Sequence, residues 1–227
     1  MVKMVKPKSY LPQATAAVIL ALALSAYWVS GVAIRNAYAQ PRIADDSAVR
    51  VVIADEEGGE RGHGSGVVLK NGYILTAAHV ARPGTNLKVA RLPVEVLWTN
   101  RTYDVALLRS DAIDYTPSRN LSCRDVKVGE PVSISGFPLN FDAPVTTTGL
   151  ITAGHMTFPG AWLDYVLTSA VAGPGASGSG VLDKAGNVIG ILVGMIGQSA
   201  GDGAVIPMGY NVIVPSTVIC KLMGRSA

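Results

Sequence analysis

Three histidines and two cysteines are all that this 227-residue chain holds of those residue types. Neither recurs at the short spacings of a zinc or haem site, so no metal site and no cofactor is expected. An excess of one charge is also missing. Lys3, Lys6, Lys8 and Arg35 are four of 19 basic residues, and removing them leaves 15 against 16 acidic ones. The net charge of +3 therefore belongs to the N-terminus, and a nucleic-acid partner is not expected. No internal repeat is legible.

What the N-terminus has is a positive start and a long apolar run. No charge falls between Ser9 and Ile34, and Ala37-Tyr38-Ala39 places small residues at the spacing of a signal-peptidase site. Residues 1–39 read as a signal peptide cleaved after Ala39 or as a membrane anchor. The run over 14–34 is long enough to span a bilayer as one helix. Any membrane contact is assigned to that uncleaved helix alone. In both cases the remainder lies outside the cytoplasm, secreted or periplasmic after cleavage or tethered to the membrane. A polar linker is read over 40–47.

The glycine-rich stretch Gly173-Pro174-Gly175-Ala176-Ser177-Gly178-Ser179-Gly180 sets serines where the backbone turns tightly and exposes its N–H groups. Upstream lie Leu75-Thr76-Ala77-Ala78-His79-Val80 and Tyr103-Asp104-Val105-Ala106-Leu107-Leu108, both apolar and strand-like. Chain order discriminates among the known triads. No histidine follows Ser177, which excludes the α/β-hydrolase order. Asp45, Asp46 and Asp55 precede His79 but sit in an acidic, polar stretch, which argues against the subtilisin order. His79, Asp104 and Ser177 fit the chymotrypsin-like order. Asp111 and Asp114 are poorer candidates because their segment is polar and turn-like. Ser179 is a poorer nucleophile because Gly175 would stand too far away to donate to its oxyanion. His63 and His155 read as surface or structural residues.

At these residues the chain resembles trypsin-like serine proteases, and among them the HtrA/Deg proteases. Gly64-Ser65-Gly66-Val67-Val68 with Gly72 to Val80 resembles the histidine region, and Thr168-Ser169-Ala170 with Pro174 to Ser179 the serine loop. Gly149-Leu150-Ile151-Thr152-Ala153 resembles the mid-barrel hairpin strand, and Tyr210 to Ser216 the closing strand. Roughly residues 62 to 222 are covered. Ser179 stands where the family usually has a second glycine, and Ser169 where HtrA proteins carry an aspartate. The chain closes at Ala227, so the PDZ domains typical of HtrA proteins are not expected. Ala176 replaces the aspartate of zymogen activation, and no Ile-Val-Gly-Gly-like start follows the leader, so that activation route is not expected.

The resemblance implies an all-β, chymotrypsin-like fold of two six-stranded antiparallel barrels with a short C-terminal helix, preceded by the signal or anchor helix. The protease domain would span 48–227, with barrels over 48–118 and 129–215 and the helix over 216–223. Alternating apolar runs bounded by turns predict strands at 49–54, 66–69, 73–77, 87–90, 94–97 and 105–109. Further strands are predicted at 131–136, 146–153, 165–168, 180–182, 188–193 and 209–214. Ser216 is the expected helix N-cap.

The implied chemistry is endopeptidase action through an acyl-enzyme. His79 would act as base and then acid, and Asp104 would hold its tautomer. The N–H groups of Gly175 and Ser177 would form the oxyanion hole. The family's primary pocket maps to Val171, Ala172, Gly173, Leu192, Val193 and Gly194. Its apolar walls carry no carboxylate, so small or medium aliphatic side chains are expected before the cut. Several trypsin-like proteases bridge the regions that hold Cys123 and Cys220, so the two are disulfide candidates, with two buried thiols as the alternative. Protein or peptide substrates are the expected partners. The resemblance leaves a homo-oligomer open, since HtrA proteins are often trimers. Two rivals are a protease-shaped peptide-binding module without turnover and a scaffold tethered by its leader helix.

Overall fold

The computed structural model describes residues 46–225 except 83, 85, 114–116, 159–161 and 201–204. The leader, its cleavage site and residues 40–45 of the linker lie outside the described residues, as does Asp114. Ser47, read as the linker's last residue, is instead buried, and its carbonyl accepts the Val68 N–H at 2.8 Å.

The first half contains β1 (Ala48–Ala54), β2 (Glu60–Val68), β3 (Tyr73–Ala77), β4 (Asn86–Val89), β5 (Leu92–Pro93), β6 (Glu95–Asn100) and β7 (Val105–Arg109). They form one antiparallel sheet in the order β5-β4-β1-β2-β3-β7-β6. A closed six-stranded barrel was expected here, and the sheet is open and seven-stranded. Its two edges are nevertheless consecutive pieces of chain separated by Val94. Pro93 has no N–H for a ladder, and the strand predicted over 94–97 begins after it, at Glu95, and runs on to Asn100 as β6, which pairs with β7. The short piece before Val94, β5, was not predicted and pairs with β4.

The second half is the expected closed six-stranded barrel. Its strands are β8 (Pro131–Gly136), β9 (Val145–Phe158), β10 (Trp162–Thr168), β11 (Gly180–Leu182), β12 (Val188–Ser199) and β13 (Val205–Pro215). Side chains of a strand alternate between faces. Here that alternation feeds two cores: Val166, Ile189, Leu192 and Ile213 join one cluster, and Tyr165, Leu167, Ile191, Val193, Val212 and Val214 another. The second cluster is shared with Val51, Val67, Ile74, Leu75 and Leu108 of the first half. Apolar burial therefore continues across both halves.

Helix α1 (Ser216–Leu222) closes the chain. Pro215 is the N-cap residue, one position before the expected Ser216, and no side chain caps the helix. Ser216 is already helical, and its Oγ donates instead to the Arg124 carbonyl at 3.3 Å. A disulfide joins Cys123 of the crossing segment to Cys220 of α1, across 97 residues of sequence and a Cα–Cα distance of 5.8 Å. Beside it Arg124 pairs with Glu130 and Asp183. The Arg124 bond holds the Glu130 carboxyl below its ordinary value. Burial pushes Asp183 up, but hydrogen bonds from Asn187, Arg124 and Ala185 outweigh it and leave that carboxyl lowered too.

Candidate active site

His79 follows β3 directly, in a turn that closes with the Val80 and Ala81 N–H groups donating to the Ala77 carbonyl. Asp104 precedes β7, the neighbour of β3. The pairing of Ala77 with Val105 brings the two residues together. Asp104 has a φ of 54°, a left-handed conformation that Asp tolerates better than most side chains. That backbone turn lets both its carboxylate oxygens face His79. Oδ2 lies 2.6 Å from the imidazole Nδ1 and Oδ1 accepts the His79 N–H at 2.8 Å. The Asp104 carbonyl also accepts the Ala78 N–H at 3.0 Å. A carboxylate on Nδ1 fixes the ring so that Nε2 is the free nitrogen. Burial pushes the nearby Tyr165 hydroxyl far above its ordinary value, and the Asp104 charge adds to this.

Ser177 lies between β10 and β11. Its carbonyl accepts the Ser65 N–H at 2.8 Å, and the next residue, Gly178, donates to the Leu192 carbonyl at 2.7 Å. Gly178 has φ 91°, and a Cβ there would stand 2.1 Å from the Ser65 oxygen and 2.3 Å from Thr76 Oγ1. Only glycine allows this approach. Because Thr76 and Ala77 immediately precede the His79 turn, the same contact seats the serine loop against the histidine segment. Among the described residues no hydrogen bond joins Ser177 Oγ to His79. Such bonds are often long before substrate arrives.

The loop before Ser177 is a tight turn. The Ala176 N–H donates to the Gly173 carbonyl at 3.0 Å, with Pro174 second and Gly175, φ 87°, third. That is the pattern of a type II turn. The Pro174 carbonyl accepts the Leu139 N–H at 2.6 Å, and a trans peptide then directs the Gly175 N–H the opposite way. Among the described residues neither the Gly175 nor the Ser177 N–H donates to any group. Two unpaired N–H groups flanking one hydroxyl are what a developing oxyanion requires.

Two residues that sequence reading did not place at the site, Ser65 and His63, hold this turn, and a third, Asn211, ties down the chain before it. Ser65, fully buried, donates from Oγ to the Gly175 carbonyl and accepts from the Phe137 N–H, both at 2.8 Å. His63, read as surface or structural, places Nε2 3.0 Å from the Phe137 carbonyl behind Gly175. Asn211, also buried, donates to the Ala170 carbonyl at 2.6 Å. The only sequence signal was position: Ser65 inside the Gly64-Ser65-Gly66 motif and Asn211 inside the closing strand.

The residues mapped to the pocket divide in two. Leu192 and Val193 are 2% and 4% exposed and belong to the cores. Val171 is 70% exposed, while Ala172, Gly173 and Gly194 are partly so. A separate cleft beside the dyad is lined by Ala78, His79, Arg82, Arg101 and Asp104. Among the described residues no group of three or more His, Cys, Asp or Glu could hold a metal ion.

The family model of a trypsin-like peptidase domain matches residues 64–191. A probable periplasmic serine endoprotease, DegP-like, of Halomonas elongata is 32% identical over 70% of this chain and 34% of its own length. Its namesake from Pseudomonas fulva is 31% identical over 68% of this chain and 33% of its own length. Among solved structures, the HtrA-type protease AlgW with tripeptide superposes with a TM-score of 0.67 at 23% identity, covering 80% of this chain and 60% of that one. The serine endoprotease from Yersinia pestis gives 0.64 at 24%, covering 81% and 63%. The chain belongs to the trypsin-like peptidase family. It spans about a third of the length of the DegP-like relatives it matches.

Proposed function

We propose that this chain is an extracytoplasmic serine endopeptidase whose domain, residues 48–227, cuts proteins or peptides. Ser177 attacks the scissile carbonyl as His79 takes its proton, and Asp104 stabilises the resulting imidazolium. The N–H groups of Gly175 and Ser177 receive the oxyanion. His79 then protonates the leaving amine, and water hydrolyses the acyl-enzyme by the reverse proton path. The observation that carries this reading is the pairing of a doubly bonded His79–Asp104 dyad with a serine loop that keeps two N–H groups unpaired. The Cys123–Cys220 disulfide and the periplasmic names of the relatives support export. The accessible members of the mapped pocket, Val171, Ala172, Gly173 and Gly194, carry no charge, which supports cleavage after small or medium aliphatic residues.

The test is labelling of residues 40–227 with a fluorophosphonate probe beside a Ser177→Ala control. Labelling at Ser177 that vanishes in the control is expected. Folded protein that resists the probe would instead favour a peptide-binding module without turnover. One observation speaks for that second reading: the missing hydrogen bond between Ser177 and His79.

A further inference from the structure

We propose that His63 is a positioning residue for the oxyanion turn, held as its neutral Nε2–H tautomer and acting on Gly175 through the loop 137–139. The inference rests on the reading of Gly175 as an oxyanion donor.

The chain of contacts begins at the surface of β1 and β2. Arg50 meets Glu60 through two bonds of 2.6 Å, and this pairing lowers the Glu60 carboxyl from its ordinary value. Arg50 Nη2 also lies 3.1 Å from His63 Nδ1. A guanidinium can only donate, so Nδ1 must be an acceptor. On the ring's other side Nε2 lies 3.0 Å from the Phe137 carbonyl, which can only accept, so Nε2 must carry the hydrogen. The two partners together admit one form of the ring. Glu60 Oε1, at 3.5 Å from Nδ1, is the remaining charged neighbour. The imidazole is well covered, with 9% of its side chain exposed.

Beyond the ring lies the loop. Phe137 is pinned at its carbonyl by His63 and at its N–H by Ser65. Two residues on, Leu139 has φ 53° and aims its N–H at the Pro174 carbonyl. That bond selects the orientation of the Pro174–Gly175 peptide. Rolled over, the peptide would present a carbonyl where the oxyanion forms, and the Leu139 N–H would lose its partner. His63 also backs the turn directly, because a Cβ on Gly175 would stand 2.6 Å from its Nε2 and 2.7 Å from the Phe137 oxygen. A bulky aliphatic residue at 63 could fill the space but could not hold Phe137.

The experiment compares His63→Phe, which fills the space without a donor, with His63→Gln, whose amide keeps an N–H near the position of Nε2–H. Turnover of an N-acyl-Ala-Ala-Val p-nitroanilide is read as kcat and KM separately. An oxyanion donor acts in the transition state, so kcat should fall about 10- to 100-fold in His63→Phe with KM within about twofold. His63→Gln should recover most of that loss. A His63→Phe enzyme with wild-type kcat, or a Gln variant as impaired as the Phe variant, overturns the proposal. A second readout needs neither turnover nor a folded variant. Imidazole ¹⁵N spectra of the wild-type protein should show the His63 hydrogen on Nε2 with Nδ1 as acceptor, and hydrogen on Nδ1 overturns the proposal. Wild-type protein that neither labels nor turns over, yet shows the Nε2–H ring, counts against the endopeptidase reading and in favour of the His63 contact chain.

Discussion

Among the described residues, two His–Asp pairs have nearly the same local geometry. His79 and Asp104 lie 2.6 Å apart through Nδ1, and His155 and Asp164 lie 2.5 Å apart through the same nitrogen. Both aspartates are left-handed, with φ of 54° and 57°. Both imidazoles are similarly open, their side chains 40% and 44% exposed. The difference is in what lies across the ring. The His79 segment faces a serine loop with two unpaired N–H groups. His155 instead turns Nε2 toward the Asp125 carboxylate at 3.5 Å, in a cleft it shares with Thr217, Val218 and Lys221 of α1. A His–Asp bond orients a ring, and the group opposite decides whether the ring can act as a base.

Matched substitutions would break this comparison most directly. His79→Ala should lower kcat for peptide hydrolysis by about 10⁵- to 10⁶-fold, while His155→Ala should leave it within about twofold. Equal losses at the two positions would show that the second pair takes part in the chemistry. Asp104→Asn should cost about 10⁴-fold in kcat by disturbing the tautomer; Asp164→Asn should change activity little. Steady-state kinetics on folded variants reads both results.

The disulfide sharpens the contrast, since Cys220 lies on the helix that lines the His155 cleft. Cys220→Ser should reduce stability by about 4–5 kcal/mol in the chain-entropy model, measured by denaturant unfolding. It should disturb the resonances of His155 more than those of His79. The smallest effect is electrostatic. Asp164 bonded to Nδ1 raises the His155 pKa above its ordinary value of 6.5. The folded state therefore binds this proton more tightly than the unfolded chain. The contribution is full below the unfolded pKa of about 6.5 and is lost as pH rises through the raised value. An NMR titration should find His155 above 6.5 and lowered in Asp164→Asn; titration at or below 6.5 in the wild type would refute the assignment.

Much of the fold was legible because its central strands are short apolar runs bounded by turn residues. β3, β7, β8 and β11 begin and end where their apolar runs do. The paired ends of β12 and β13, residues 194–199 and 205–208, were missed: they carry Gly194, Gly197 and Pro207, and expose Val205, Ile206 and Met208. A hairpin that leaves its side chains in solvent has no buried face to impose a period. β2 was read short for another reason. The predicted strand began only at Gly66 because Gly62 and Gly64 before it look like a turn, yet Gly64 is a point of close approach, where a Cβ would meet Val80 at 2.4 Å, as one on Gly66 would meet Ile74 at 2.7 Å. The order His79, Asp104, Ser177 was visible as motifs. The contacts of His63, Ser65 and Leu139 were not, because they depend on which strand of one half meets which loop of the other.

The nesting of Gly178 against Ser65 and Thr76 has a consequence for inheritance. It carries no reactive atom, yet nearly every base change that replaces it inserts a side chain between the two halves of the reactive centre. In a collection of inactive alleles, this silent position should therefore appear as often as the serine beside it.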